Sequence, residues 1–385
     1  MELTNQKYRV SEVGIIPVEW EVMHLGDIAN VIGGGTPSTF NDDYWNGDIN
    51  WFTPTEIGLK KYSYESLRKI TKKGLENSSA RILPIGTILL TSRAGIGDVS
   101  ILMNEACTNQ GFQSLVAKGE LNNEFLYYVV STLKKVLLQN ASGSTFLEIS
   151  PKKVKSILVA LPSTLKEQTA IATALSDTDT LIEILEKLIE KKRNIKQGAM
   201  QELLTPKDTW FCEPIKRISL ISTGAKNTQD KIDNGEFPFF VRSQIIEKIN
   251  SYSYDGEAVL VAGDGVGTGK VMHYFNGKFD FHQRVYKISD FQSIISGYFF
   301  FLYFKNNFLG RIMQMTAKSS VDSIRMEMIS DMKIYFPSIS EQSQITAILS
   351  DMDKEIEALE QNLNKYKMIK QGMMQVLLTG KIRLL

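Results

Sequence analysis

Cysteine, histidine and long apolar runs are all scarce in this chain of 385 residues. The two cysteines, Cys107 and Cys212, stand far apart and offer neither a disulfide framework nor a paired zinc knuckle. The three histidines, His24, His273 and His282, lack metal-ligand spacing, so no metal site is expected. The densest apolar run, Tyr298 to Phe304, falls far short of the ~18 residues that span a bilayer. The opening MELTNQKYRVSEVG has no apolar signal core. The expectation is a soluble protein of a reducing cytoplasm, with no membrane contact. An excess of one charge is also missing: 44 Lys and Arg face 43 Asp and Glu, for a net charge of +1. That excludes holding nucleic acid by bulk charge, and any such contact must come from local patches. None of the ten prolines is adjacent to another. The Asp/Asn/Ser-Pro-Pro-aromatic loop of amino-methyltransferases is therefore absent.

What is present is a repeat. Residues 165–205 align with 339–379 at a constant offset, without a gap, with 21 identities over 41 positions. The identities include Glu167/Glu341, Gln168/Gln342, Ser176/Ser350, Asp177/Asp351 and Asp179/Asp353. The block IKQG at 195–198 recurs at 369–372, and a proline precedes each copy, Pro162 and Pro337. Such agreement marks a duplication. Both copies read as long helices. Ile345, Leu349, Met352, Ile356, Leu359, Leu363 and Tyr366 alternate in steps of four and three, an a/d stripe. Ile171, Leu175, Thr178, Ile182, Leu185, Ile189 and Lys192 repeat the register, weakened at Thr178 and Lys192. A stripe this narrow must be buried, and the obvious partner is the other copy.

The duplication extends weakly into the segments before each helix. Trp20 with Leu25, Ile28 and Val31 resembles Trp210 with Ile215, Ile218 and Ile221. GTILLTSRAGIG at 86–97 resembles GEAVLVAGDGVG at 256–267, and Asn109-Gln110 is echoed by His282-Gln283. Each variable segment reads as mixed α/β, with strands near Gly86–Thr91, Val99–Met103 and Ser114–Ala117 and a helix over 122–138, whose counterpart is 296–315. The fold class is α+β: two mixed α/β domains joined by two long helices that pair as an antiparallel coiled coil in a pseudo-two-fold chain. The divisions are 1–161, 162–206, 207–336 and 337–385.

Catalytic signals fail on inspection. GDGVGTGKV at 263–271 resembles a phosphate-binding loop, but Asp264 stands where that loop needs glycine and Val271 where it needs a magnesium-binding hydroxyl. A glycine-rich turn between two strands explains it better. No glycine-flanked nucleophile turn is present. No catalytic residue is assigned. Charge patterning is more suggestive. Lys60, Lys61, Arg68, Lys69, Lys72 and Lys73 are interleaved with Tyr62 and Tyr64. Such a cluster either tracks phosphates or is a solvated loop surface.

Taken together, the chain resembles the specificity subunit of a type I restriction–modification system. The resemblance rests on SEVGIIPVEWEVMHLGDIA at 11–29, INWFTPTEI at 49–57, LLTSRAGIGDVSI at 89–101, TNQGFQSL at 108–115, the two EQ…IKQG helices and the ending LLTGKIRL. The second variable segment departs from it: no VGIIP-type lead-in precedes Trp210, and Phe-His-Gln-Arg stands at 281–284. The resemblance implies a non-catalytic, cytoplasmic subunit with two target-recognition domains. Each reads one half of a split, asymmetric site on double-stranded DNA. The paired helices would act as a spacer and dock two modification subunits that methylate adenine with S-adenosylmethionine. A restriction subunit, a translocase and nuclease using ATP and Mg, would join them, and no cofactor would be held by this chain. The competing class is a coiled-coil scaffold that joins proteins without reading DNA.

The heptad stretch 171–192 would span ~33 Å, close to one ~34 Å turn of DNA, so half-sites centred about 10 base pairs apart are expected. Base edges need forked or amide side chains. The candidate readers are Thr53, Thr55, Arg93 and Gln110 in the first domain and Arg242, Gln244 and Arg284 in the second. For Gln110 and Gln283 the stronger expectation is a bracing role, since both domains keep them while reading different bases.

Overall fold

The computed structural model describes residues 7–143, 147–265, 267–315 and 323–384. The chain forms two compact units, Met1–Leu185 with Asn362–Leu385, and Glu186–Gln361. These cut the long helices, Leu165–Leu203 and Ile339–Leu377, instead of falling at the sequence-based divisions. The reason is that both ends of each helix are built into a core. Ile171 and Leu175 lie in the core of the first unit, and Leu204, just past the same helix, lies in that of the second.

In the first unit a five-stranded sheet runs in the order Ala29–Gly33, Gln113–Ala117, Ile88–Leu90, Val99–Leu102, Tyr62–Ser63. It is antiparallel except for the last pair. A three-stranded sheet sets Ala106–Thr108 parallel to Trp45–Phe52, which pairs antiparallel with Arg68–Ile70. The second unit joins the same plan into one sheet: Leu220–Thr223, Val285–Ser289, Tyr254–Ala262, Met272–Phe281, Phe237–Phe240, Glu247–Ile249. The strand Met272–Phe281 does in one piece what Val99–Leu102 and Ala106–Thr108 do in two. In both units the glycine-rich segment connects antiparallel strands. Residues 263–271, of which Val266 lies outside the described residues, thus form a hairpin connection, whereas a phosphate loop leads from strand to helix.

The expected helix over 122–138 is two helices, Asn123–Ser131 and Lys134–Asn140. The first closes with i−3 bonds, from the N–H of Thr132 to Val129 and of Leu133 to Val130, which tighten its last turn and break the ladder. Its counterpart, Gly297–Met315, is unbroken. The apolar run Tyr298–Phe304 lies in that helix, and Phe299, Phe300, Leu302, Tyr303 and Phe304 fill the second core. Among the described residues no helix is long and apolar enough to cross a membrane.

Within each unit the long helices run antiparallel. In the first, Lys370 Nζ reaches Asp179 at 2.5 Å and Thr178 Oγ1 meets the Met373 sulfur at 3.5 Å. In the second, Lys196 pairs with Asp353, Lys192 with Glu355 at 2.6 Å and Arg193 with Glu360 at 2.5 Å. The Lys–Asp pair is formed twice by matching positions of the repeat. Ile171 and Leu175 are buried in the first core, which also holds Leu377 and Leu378 at the end of the other long helix. Ile345 and Leu349 are buried in the second, where Ala199, Met200 and Leu203 of the other long helix pack, so the start of each stripe is shared between its domain and the partner helix. Lys192, where the first stripe is weak, is held by its ion pair to Glu355. Leu185, Ile189 and Ile356 are buried, and Ile182, Met352, Leu359, Leu363 and Tyr366 are half-buried.

The buried glutamine of each copy ties the helix to its domain. Gln168 donates to the Pro162 carbonyl and accepts from the N–H of Asn122, both at 3.1 Å. Gln342 donates to the carbonyls of Pro337, at 2.8 Å, and Ile294, at 2.9 Å, and accepts from the N–H of Ser296 at 2.9 Å. Asn122 and Ser296 stand at the starts of the matching domain helices, so the long helix satisfies the first backbone donor of each.

Candidate nucleic-acid interface

Four loops at one end of each sheet carry most of the candidate readers, and three matching backbone bonds position them in both units. The N–H of Asn109 donates to Phe52 at 3.0 Å, as that of His282 does to Phe240 at 2.9 Å. Ser92 donates to Gly111 at 2.7 Å, as Gly263 does to Arg284 at 2.8 Å. Ile149 donates to Ser92 at 3.2 Å, as Ile324 does to Gly263 at 2.7 Å. The loop after the first sheet strand closes the group: Gly35 donates to Thr108 at 2.9 Å in the first unit, and Gln283 donates to Lys226 at 2.8 Å in the second. Gly34 and Gly224 allow this approach, because a Cβ at either would collide with the backbone oxygens of the adjoining strand end.

On this common frame the side chains differ. In the first unit Thr53 begins a short turn. Its hydroxyl bonds Glu56 at 2.7 Å and meets the Thr55 hydroxyl at 3.0 Å. Arg93 pairs with Glu148 at 2.8 Å. Gln110 accepts from the Thr36 hydroxyl, and Gln283 donates to Asn227 Oδ1 at 2.5 Å. Both glutamines thus hold the loop that follows the first strand, in keeping with a bracing role. In the second unit Arg242 and Arg284 converge on Asp264, at 3.0 Å and 3.1 Å. With Asn227, Thr228, Gln229, His282 and Gln283 they line a cleft of about 340 Å³. Gln244 is exposed on the loop after Phe237–Phe240. The backbone frame places Arg93 and Asp264 at matching positions, so the charge there is reversed between the units.

The basic segment 60–73 does not act as one track. Lys61 is the clearest correction. Its side chain is only 10% exposed, and its ammonium donates to Glu124 at 2.8 Å, Tyr128 at 2.9 Å and Ser176 at 3.0 Å. Burial alone would raise the Glu124 carboxyl, but bonds from Lys61 and Tyr62 outweigh it and hold it below the usual range. Burial and the bond to Glu124 push Tyr62 up to about 12. A lysine so paired braces the domain helix and the long helix within the first unit. Lys72 is 3.9 Å from Glu76, and Lys73 is 2.6 Å from Asp43. The Arg68 guanidinium lies 3.7 Å from the Trp45 ring centre, a cation–π stack. Lys60 is exposed and Lys69 half-buried. The Trp45 and Trp51 indoles donate to the carbonyls of Ser38, at 3.1 Å, and Gly35, at 2.8 Å.

Sequence reasoning did not single out Asp264 as a partner of the two arginines, nor Asn227 and Gln229 as cleft residues. The only available signal for Asp264 was its mismatch to the phosphate loop. Among the described residues no cluster of three or more His, Cys, Asp or Glu is arranged to hold a metal.

Two copies of one α+β module, each anchored to a copy of one long helix and differing in charge at one set of loops, define a tandem two-module architecture. Each copy holds a different polar surface on the same frame. The chain belongs to the family described as the type I restriction modification DNA specificity domain, whose model matches residues 17–192 and 214–367. It is 42% identical over 222 residues to the type I restriction enzyme MjaIX specificity subunit of Methanocaldococcus jannaschii, covering 56% of this chain and 49% of that one. The match thus spans about half the length of that relative. The MjaVIII specificity subunit of the same organism is 25% identical over 409 residues, covering 96% and 94% of the two chains. The fold is similar to that of a crystallised type I S subunit from M. genitalium, with a TM-score of 0.64 at 15% identity and 98% of each chain covered.

Proposed function

We propose that this chain is the non-catalytic specificity subunit of a type I restriction–modification complex and reads a bipartite, asymmetric site on double-stranded DNA. The observation that carries this reading is the shared loop frame with opposite charge at one position, Arg93 in one unit and Asp264 in the other. A scaffold has no need to keep a frame while changing the groups it displays. Two readers of different half-sites do, because each base pair presents its own donor and acceptor pattern in the major groove.

The partners under this reading are two modification subunits, which use S-adenosylmethionine to methylate adenine, and a restriction subunit that consumes ATP with Mg. The complex works in the cytoplasm, and this chain holds no cofactor. Near-neutral charge limits what the chain achieves alone, so the partners supply much of the clamp on DNA. The test is a map of methylated adenines in DNA from cells carrying this chain with its modification subunit. The expected motif has two specified halves whose centres lie about 10 base pairs apart across an unspecified gap. A single continuous motif from an active complex would refute the two-reader assignment.

A further inference from the structure

We propose that Asp264 is a positioning residue that presents Arg242 and Arg284 as two forks for guanine, so that the second half-site contains G·C pairs at two positions. This rests on the DNA-reading function above and adds the class of base read and the group that sets it up.

The arrangement is layered. The Asp264 side chain is 17% exposed, whereas those of Arg242 and Arg284 are 42% and 62% exposed. The acid lies underneath, with one oxygen to each guanidinium. The backbone below is fixed as well. Gly263 donates to Arg284, Ile324 donates to Gly263, and His282 Nδ1 accepts the Arg284 N–H at 2.9 Å. Arg242 donates from Nη1 to the acid and Arg284 sets its Nη1 beside it as an ion pair, which leaves most of the five donors of each for a base. Arginine paired through two parallel N–H groups to O6 and N7 of guanine is the commonest specific base contact in the major groove. A free surface arginine must be immobilised on binding, and one already held by a carboxylate loses less freedom. The matching position in the first unit is Arg93, held by Glu148, with no counterpart to the paired arginines. Guanine pairs read by two adjacent arginines are therefore a property of the second half only.

The experiment selects bound sequences from a DNA library randomised at both half-sites, using the full-length chain in complex with its modification subunits. Arg242→Ala and Arg284→Ala are each expected to lower guanine preference at one position of the second half by on the order of tenfold, leaving the first half unchanged. Asp264→Asn should relax both positions. Because it removes a negative charge, it should also leave binding to unrelated DNA unchanged or stronger. A purely structural Asp264 would instead weaken both kinds of binding together. Should Asp264→Asn fold poorly, Arg284→Lys keeps the charge and loses the fork. It should lose the guanine preference with the salt dependence intact. A second half without guanine, or guanine preference that survives Asp264→Asn, overturns the inference. Uniform weakening by the arginine variants reassigns them to phosphate contact and overturns it too. Loss of the bipartite motif itself would count against the DNA-reading function instead.

Discussion

Replacing Gln342 by alanine offers a sharp test of how each long helix is fastened to its domain. The side chain is fully buried and makes three bonds, two to carbonyls and one from the N–H that opens the helix Gly297–Met315. Gln168, its repeat counterpart, is 8% exposed and makes two. A buried backbone group left without its partner costs about 1–3 kcal/mol, with water able to rescue the more exposed ones. Gln342→Ala should therefore destabilise the second unit by about 3–5 kcal/mol, and Gln168→Ala the first by about 2–3 kcal/mol. Gln342→Glu keeps the acceptor for Ser296 but loses both donors and buries a charge, so it should be no milder than alanine. Urea unfolding of the full chain gives the loss, and hydrogen exchange locates it. Amides from Ser296 to Phe304 should exchange faster in the Gln342 variant, while those from Asn122 to Val130 stay protected. If Gln342→Ala cost no more than Gln168→Ala, or the exposed amides lay elsewhere, the fastening role would be wrong.

How much of this was legible from the sequence depends on how far apart the partners lie. The long helices were readable because their pattern is local and the repeat is gapless. Their pairing inside each unit was foreshadowed by the stripe. But a stripe does not reveal everything that buries it, and Ile171, Leu175, Ile345 and Leu349 pack into domain cores as well as against the other long helix. The single helix expected over 122–138 reads as continuous because Val130 and Leu133 keep the apolar spacing. The i−3 bonds that end its first half leave no mark on that spacing. Lys61 was visible only as a charge in a basic run. Its partners Glu124 and Ser176 are distant in sequence and meet it only once the sheet and helices are assembled. The same limit applied to the candidate site. Arg242 and Arg284 were picked out by residue type, but Asp264 between them comes from a third loop, and strand order alone brings the three together.

Two further outcomes follow from the same geometry. Lys61→Ala should destabilise the first unit by about 2–3 kcal/mol, because the partly buried Glu124 loses its cation. It should leave the salt dependence of DNA binding unchanged, whereas loss of a true phosphate contact would lower that slope by about one. Acid should weaken the second unit through its two histidines. Burial first, and then the positive charge of Arg242 and Arg284, holds His282 below the ordinary histidine value. Burial does the same for His273. Near that ordinary value of about 6.5 the unfolded chain takes up protons that the folded unit refuses. Stability is therefore complete above it and falls as the pH drops through it. Protonated His282 would also lose the lone pair that accepts the Arg284 N–H. Denaturant midpoints at pH 7.5, 6.5 and 5.5, above the range where most carboxylates titrate, should show this loss, and His282→Gln should flatten it to the part due to His273. An equal loss in that variant would mean that His282 stays uncharged for some other reason, or that the acid sensitivity lies in a different group.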